Sequence, residues 1–406
     1  MPDPTPAAIT TPTEWLLTVG RMADTPDAFL GGLCDYLLGH GLQLDRVSLH
    51  LATLHPQVVG IRVSWRRGIG AEETRYGYDV AESAGYSSSP LYIVYERGEV
   101  VRQRLNEPPV EGEFPILAEL RAEGLTDYYV VPLLMPGGRR NACTWATSDP
   151  KGFSDVQIAT IDGLLPALAA CVEPRMLSRK LRGLLSIYLG ADAGERVLAG
   201  TIRRGDGQTI AAAIWLCDMR DFTLISETLP RDDVIRLLND FFEVMAGPVV
   251  DHGGQVLKFI GDAMLAIFPI VDDLDRDRAC RTALVAAKEA LARMDEANAA
   301  RREKGEREIE LGLALHTGAV MYGNIGAPER LDFTVIGPAV NLTARIAGLC
   351  RPLGRRLLAS ARFASPCGSE LVSLGHHHVR GLHQQQEIFG LPDAGGSGDV
   401  LDLLVS

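Results

Sequence analysis

No stretch of this 406-residue chain reaches the roughly 18–20 consecutive apolar residues that a membrane-crossing helix needs. The longest candidate, Ile158 to Val172, is interrupted by Asp162, Gly163 and Pro166. The chain also lacks a basic excess. Its formal net charge is −12, which excludes a nucleic-acid-binding protein held by a general basic surface but leaves room for a local basic site for a phosphorylated ligand. There is no C-x-x-C pair, and the seven cysteines (Cys34, Cys143, Cys171, Cys217, Cys280, Cys350 and Cys367) are odd in number. That excludes a disulfide framework or a structural zinc site and predicts reduced thiols in a cytoplasmic protein. The first residues, MPDPTPAAITTPTEW, carry no basic n-region, so no signal peptide is expected. What is left, 46% hydrophobic and 23% charged, is the profile of a globular chain of two or three domains.

The N-terminal half reads as α+β. Residues 1–13 are expected to be a disordered leader. Leu16, Leu17, Met22, Phe29, Leu33 and Leu37 mark one or two helices between Trp15 and Gly39. Strands follow at Arg46 to Ala52 and Gln57 to Trp65, then a polar, glycine-rich loop from Arg66 to Pro90. Further strands are predicted at Leu91 to Tyr95, Glu99 to Arg104, Asp127 to Leu134 and Asn141 to Thr147, with helices at Phe114 to Glu123 and Phe153 to Val172. This order resembles a GAF- or PAS-like sensor domain over residues 14–173, and the resemblance implies a small-molecule ligand. Trp65, Tyr92, Tyr95 and Trp145 are either pocket lining or plain core aromatics. Residues 174–204, basic and then apolar, read as a linker or signalling helix.

The C-terminal half has a β-α-β-β-α-β order, the split unit of ferredoxin-like folds. A strand ends at Asp218. A helix with a break at Pro230 places Val234, Leu237, Leu238, Phe241, Phe242 and Met245 on one face. The hairpin GQVLKFIGDAMLAIF turns at Gly261-Asp262. A helix from Asp275 to about Arg302 and a strand at Ile309 to His316 complete the unit, and a strand at Ala319 to Ile325 lies beyond it. A helix at Pro338 to Cys350 and three short strands follow, and residues 392–406 read as a tail. This topology brings Asp218 beside Asp262. Two carboxylates at adjacent strand ends suit hard oxygen-ligated cations, Mg²⁺ or Mn²⁺. The segment Met219-Arg220-Asp221-Phe222-Thr223 enters a helix, whose backbone N–H groups can hold phosphate oxygens. Lys258, inside an otherwise apolar strand, either lies on a wet face or points into a site. His376, His377 and His378 are consecutive and cannot converge on one ion.

Four collinear segments carry a resemblance to the class III nucleotidyl cyclase catalytic domain over about residues 205–391: LCDMRDFT, GGQVLKFIGDAMLAIF, GLALHTGAVMYGNIG and FTVIGPAVNLTARI. The resemblance implies two metal ions per site, held by Asp218 and Asp262 with Met219 beside them. It puts Lys258 and Thr334 at the purine-reading positions, and Asn341 and Arg345 at the positions that orient the ribose and stabilise the transition state. Phe222 and Thr223 would serve the phosphates. Arg380, in HHHVRGL, falls near a position where the family often has a phosphate-binding basic residue. Lysine only donates hydrogen bonds, which suits adenine N1 and not guanine N1–H, and guanylyl members carry an acidic residue at that position. ATP is therefore the expected substrate and cyclic AMP the product. Threonine replaces the usual aspartate at the second purine position, and Ala319 stands where a basic residue is common. Since the family splits its site between subunits, the resemblance implies a head-to-tail homodimer. A guanylyl or relaxed-specificity cyclase and a catalytically silent nucleotide-binding domain are the alternatives.

Overall fold

A computed structural model of the chain describes residues 11–81, 83–138 and 140–392. It divides into two compact units that meet in the chain at Leu184 and Leu185. Most of the expected leader and tail lies outside the described residues. Residues 12 and 13 do not belong to a leader: a helix spans Pro12–Thr18, and Thr11 caps it by accepting from the Glu14 N–H at 3.1 Å.

The first unit is a six-stranded antiparallel sheet. Its strands are β1 (Arg46–Ala52), β2 (Gly60–Arg66), β3 (Gly70–Tyr76), β4 (Val101–Arg104), β5 (Asp127–Leu134) and β6 (Arg140–Thr147), in the order β3-β2-β1-β6-β5-β4. Along β1 the side chains alternate. Val47, Leu49 and Leu51 join Ile61, Val63, Trp65, Cys143 and Trp145 in a core against Phe29, Leu30 and Leu33 of the helix Pro26–Gly39 and Ile161, Leu164 and Leu168 of the helix Asp155–Leu189. Trp65 and Trp145 are thus core aromatics.

Two expectations fail in this unit. The loop expected at Arg66 to Pro90 contains β3, an edge strand whose sequence GAEETRY is polar on both faces and so carries no alternation signal. The loop also holds two short helices, Tyr78–Ala81 and Ala84–Ser87. The strand expected at Leu91 to Tyr95 is helical. Ser89 accepts from the Leu91 N–H at 3.0 Å and Pro90 opens the first turn, so capping outweighs the β-propensity of Ile, Val and Tyr. The helix expected at Phe153 to Val172 runs on to Leu189 through Pro166 and Pro174, into the stretch read as a linker or signalling helix. By length and composition it is, among the described residues, one helix apolar enough to cross a membrane, a test that the core helix of a globular unit also passes. Its inner face lies in the core of the first unit.

The second unit has an eight-stranded sheet. Its strands are β7 (Gly207–Met219), β8 (Gln255–Ile260), β9 (Ala263–Ile270), β10 (Leu311–Ala327), β11 (Arg330–Ile336), β12 (Leu357–Ser360), β13 (Val372–His377) and β14 (Gln386–Gly390). The order β10-β7-β9-β8 is ferredoxin-like, extended by β12, β14 and β13, with β11 folded back on β10. Odd-numbered residues of β7 (Ala213, Trp215, Cys217 and Met219) pack under the helices Arg231–Asp251 and Asp273–Glu303, with Leu237, Phe241, Met245 and Val249 on one stripe. Even-numbered residues of β7 face the other side, where Ala212 and Ile214 pack with Leu257, Leu265, Tyr322 and Phe333.

The two strands expected on either side of Gly318 are one 17-residue strand. Gly318 is not a break. A Cβ there would sit 2.7 Å from the Ala339 methyl, so the glycine admits the helix Pro338–Ala347 against the strand. The β11 strand goes unread in the sequence because FTVI merges with the segment leading into that helix. The helix Ala191–Leu198 belongs to this unit rather than to a linker over 174–204. Ala193 is in its core, Tyr322 donates to Asp192 at 3.0 Å and Asn324 donates to the Thr201 carbonyl at 2.9 Å.

Candidate active site

Asp218 ends the exposed side of β7, level with Ala263 on β9 and Gly312 on β10. The β8–β9 turn closes at Gly261, φ 62°, which sets Asp262 beside it. The Met219 N–H donates to the Asp262 carbonyl at 3.3 Å, fastening the two strand ends together. The predicted pair of carboxylates is therefore adjacent. Asp218 is half-buried, and its Oδ1 is buried without a hydrogen bond. The nearest cation, the Arg220 guanidinium, stands 3.5 Å away. Burial raises the Asp218 carboxyl pKa most. Arg220 opposes that, and the neighbouring Asp262 adds to it. A buried carboxylate oxygen that faces a guanidinium at 3.5 Å without a hydrogen bond, next to a second carboxylate, is chemically suited to a hard divalent cation. Among the described residues no cluster of three or more His, Cys, Asp or Glu forms elsewhere, and the three consecutive histidines do not gather. His377 contacts the Leu374 carbonyl and His378 contacts Gln385.

Beyond Asp218 the chain turns sharply. The Met219 side chain is in the core, so any part it takes at the metal falls to its main chain. Asp221 has φ 54°, the single positive-φ non-glycine among the described residues, and it caps the helix Phe222–Thr228. Phe222 packs against the core and Thr223 is exposed. Arg220 was not foreseen. It lies across Gly312, where a Cβ would collide with its guanidinium, and donates to the Ala347 carbonyl at 3.3 Å. The signal available for it was a basic residue between two aspartates in DMRD.

Lys258 sits just after a register irregularity in the β8–β9 ladder, paired with Leu265, which places it on the same face as Asp218. Its ammonium is 3.3 Å from the Asp332 carboxylate on β11. Two residues along the same strand, Thr334 is buried with its hydroxyl unpartnered. Positions i and i+2 share a strand face, so Asp332 was findable once β11 was seen. Asn341 and Arg345, one turn apart on the helix Pro338–Ala347, are both exposed. Gly381 has φ 77°, and a Cβ there would lie 3.2 Å from the Arg345 guanidinium, so the turn carrying the exposed Arg380 lies over Arg345. Among the described residues no hydrogen bond or ion pair joins Asp218 or Asp262 to Lys258, Thr334, Asn341 or Arg345. The structure gathers the predicted residues into three groups on one unit, and Arg220, beside Asp218, reaches the end of the helix that carries Asn341 and Arg345.

Residues 207–391 match the family of adenylate and guanylate cyclase catalytic domains. This segment belongs to the class III cyclase catalytic-domain family. The cyclase domain is similar to adenylate cyclase 1 of Rhizobium meliloti, 33% identical over 152 residues (37% of this chain and 22% of that protein). It is similar to the adenylate cyclase of Anabaena cylindrica, 35% identical over 158 residues (39% and 31%). Adenylate cyclase 2 of Rhizobium meliloti is 30% identical over 245 residues (59% and 65%). The chain thus spans less than a third of the length of the first two relatives. The family match begins at residue 207, and the GAF-like reading of the first unit rests on element order.

Proposed function

We propose that the chain is an adenylate cyclase that converts ATP to 3′,5′-cyclic AMP and pyrophosphate, at sites formed between two copies of its cyclase domain. The observation that carries this reading is the pairing of a lysine with a neighbouring buried, unpartnered hydroxyl. Lys258 can only donate, to adenine N1, and Thr334 accepts from the 6-amino group. Two divalent ions, Mg²⁺ or Mn²⁺, would lower the pKa of the ribose 3′-hydroxyl and bind the triphosphate and leaving group. Asp218 and Asp262 supply the anionic oxygens that hold them. Asn341 orients the ribose, so that the 3′-oxygen lies in line with the α-phosphorus. Arg345 donates to the phosphoryl oxygens as charge builds on them. The backbone at Phe222 and Thr223, together with Arg380, takes the remaining phosphate oxygens.

The absence of a direct bond between the metal carboxylates and the other two groups fits a shared, head-to-tail site, with the carboxylates from one protomer and the purine, ribose and transition-state residues from the other. β8 is an edge strand with Phe259 and Ile260 each 51% exposed, an apolar edge that a second copy would cover. Seven free, buried cysteines support a cytoplasmic setting. Regulation of the cyclase domain by the first unit, as a GAF-like sensor, is part of the same proposal.

One observation favours a second reading, relaxed base specificity. Asp332, beside Lys258, supplies an acceptor that guanine N1–H needs. Turnover of ATP and GTP by the purified full chain with Mn²⁺ tests both readings. Strong preference for ATP is expected. Preference for GTP would overturn the assignment of Lys258, and no product from either would leave a silent domain.

A further inference from the structure

The open side of the N-terminal sheet is not open. On β1 the residues that alternate with the core, Arg46, Ser48 and His50, point to the opposite face. There Arg62 and Ser64 of β2 lie in register with His50 and Ser48, and Thr144 of β6 lies opposite Ser48. A polar sheet face ordinarily meets water. Here a cavity of about 600 Å³ covers it, with Val80, Tyr86, Leu91, Tyr95, Ile116 and Leu120 on its walls. That is the size of a small-molecule site, with apolar walls and a few convergent polar groups.

The charges in the cavity do not balance. Arg46 is answered by Glu123 at 3.2 Å and Glu119 at 3.5 Å. Arg62 donates to the Thr74 hydroxyl at 3.3 Å and lies over the Tyr76 ring, 5.7 Å from its centroid. Its Nε–H is buried without an acceptor, and among the described residues no carboxylate is within ion-pair distance of it. Glu96, which also lines the cavity, is exposed. The Tyr95 hydroxyl is already committed to the His50 carbonyl at 3.0 Å. The imidazole of His50 is pushed down to about 3, by burial and then by the charges of Arg62 and Arg46, so it stays neutral and adds no charge of its own.

We propose that this cavity binds a small organic carboxylate, its two oxygens on the Arg62 guanidinium and its apolar or aromatic body against Tyr86, Leu91, Ile116 and Leu120. One unanswered guanidinium matches one negative charge, and its planar fork matches two oxygens in a plane. A phosphate ester would bring a charge of about −1.5 to −2 to a site with one charge to answer. The proposal is independent of the cyclase reading and is tested without turnover. Titration calorimetry of the full chain would use benzoate, its neutral isostere benzamide, and inorganic phosphate. Saturable benzoate binding is expected, weakened at least about tenfold by Arg62→Gln and less by Arg62→Lys, which keeps the charge but loses the fork. Benzamide should bind at least about tenfold more weakly than benzoate. Where circular dichroism shows Arg62→Gln unfolded, the Arg62→Lys arm decides. The proposal is overturned by absence of benzoate binding to the folded wild-type chain, by equal affinity for benzamide, by equal affinity in the Arg62 variants, or by phosphate binding more tightly than benzoate with the same dependence on Arg62.

Discussion

The two sheets handle polar side chains in opposite ways. In the cyclase domain the residues proposed for the chemistry sit at strand ends and turns. Asp218 closes β7, Asp262 caps the hairpin, and Lys258 sits at a register irregularity near a sheet edge. Each is partly exposed. In the first unit the polar residues run along the strands, from Arg46 at the start of β1 to Ser48, His50 and Arg62 in mid-strand, on a face partly roofed by short helices. A strand end leaves a side chain free to meet a ligand and a second protomer. A row along the strands can be roofed over, and the roof makes a partly open cavity with its own charge balance. The first arrangement suits a reaction on a large charged substrate, and the second suits capture of a small molecule.

The comparison can be broken at its strongest point first. Asp218→Ala should lower cyclase turnover by about a thousandfold or more, the several kcal/mol that a correctly held metal contributes. Chelation of divalent ions should do the same. Near-normal turnover in either case would remove the strand-end carboxylates from the chemistry. Lys258→Met should reduce the ATP-over-GTP ratio about tenfold, the worth of one hydrogen bond to a charged donor, read as kcat/KM for both nucleotides. An unchanged ratio would mean that the base is read elsewhere.

His50 sharpens the other side of the comparison. Its pKa is lowered from 6.5 to about 3, so between those values the unfolded chain binds the proton and the folded one does not. Stability therefore falls as pH drops through that window, by at most about 1.4 kcal/mol per pH unit from this group. Denaturant melts of wild type and His50→Asn between pH 4 and pH 7 (about the lower and middle range of such titrations) should show a shallower slope in the variant. Equal slopes would show that His50 is not held neutral. Last, equal mixtures of Asp218→Ala and Arg345→Ala chains should regain about a quarter of wild-type activity, since half of the random dimers are mixed and each holds one intact site of two. Mixtures that remain inactive while the wild type turns over would refute the shared site.

Much of the cyclase domain was readable because its residues carry meaning locally. Gly261-Asp262 between apolar runs is a hairpin in any context, and Asp218 after an apolar strand marks a strand end. Asn341 and Arg345 are one turn apart on a helix opened by Pro338. Arg220 and Asp332 were not readable in this way. Arg220 matters because Gly312, on a strand distant in sequence, leaves room for its guanidinium, and Asp332 matters because β11 folds back toward β8. In the first unit the errors lie where local rules conflict. At Leu91 to Tyr95 a serine cap and a proline prevailed over β-branched residues, and in β3 pairing with β2 made a strand of a sequence with no apolar face.

By itself the sequence determined the β-α-β-β-α-β order of the second unit, the alternation of β1, and the turn that sets Asp262 beside Asp218, because these follow from periodicity, turn chemistry and short motifs. Tertiary structure alone decided which polar row meets water. Arg46, Ser48 and His50 alternate as any wet strand face does. Only the packing of short helices over that face, contacts made at long sequence separation, turns it into a cavity holding an unanswered guanidinium.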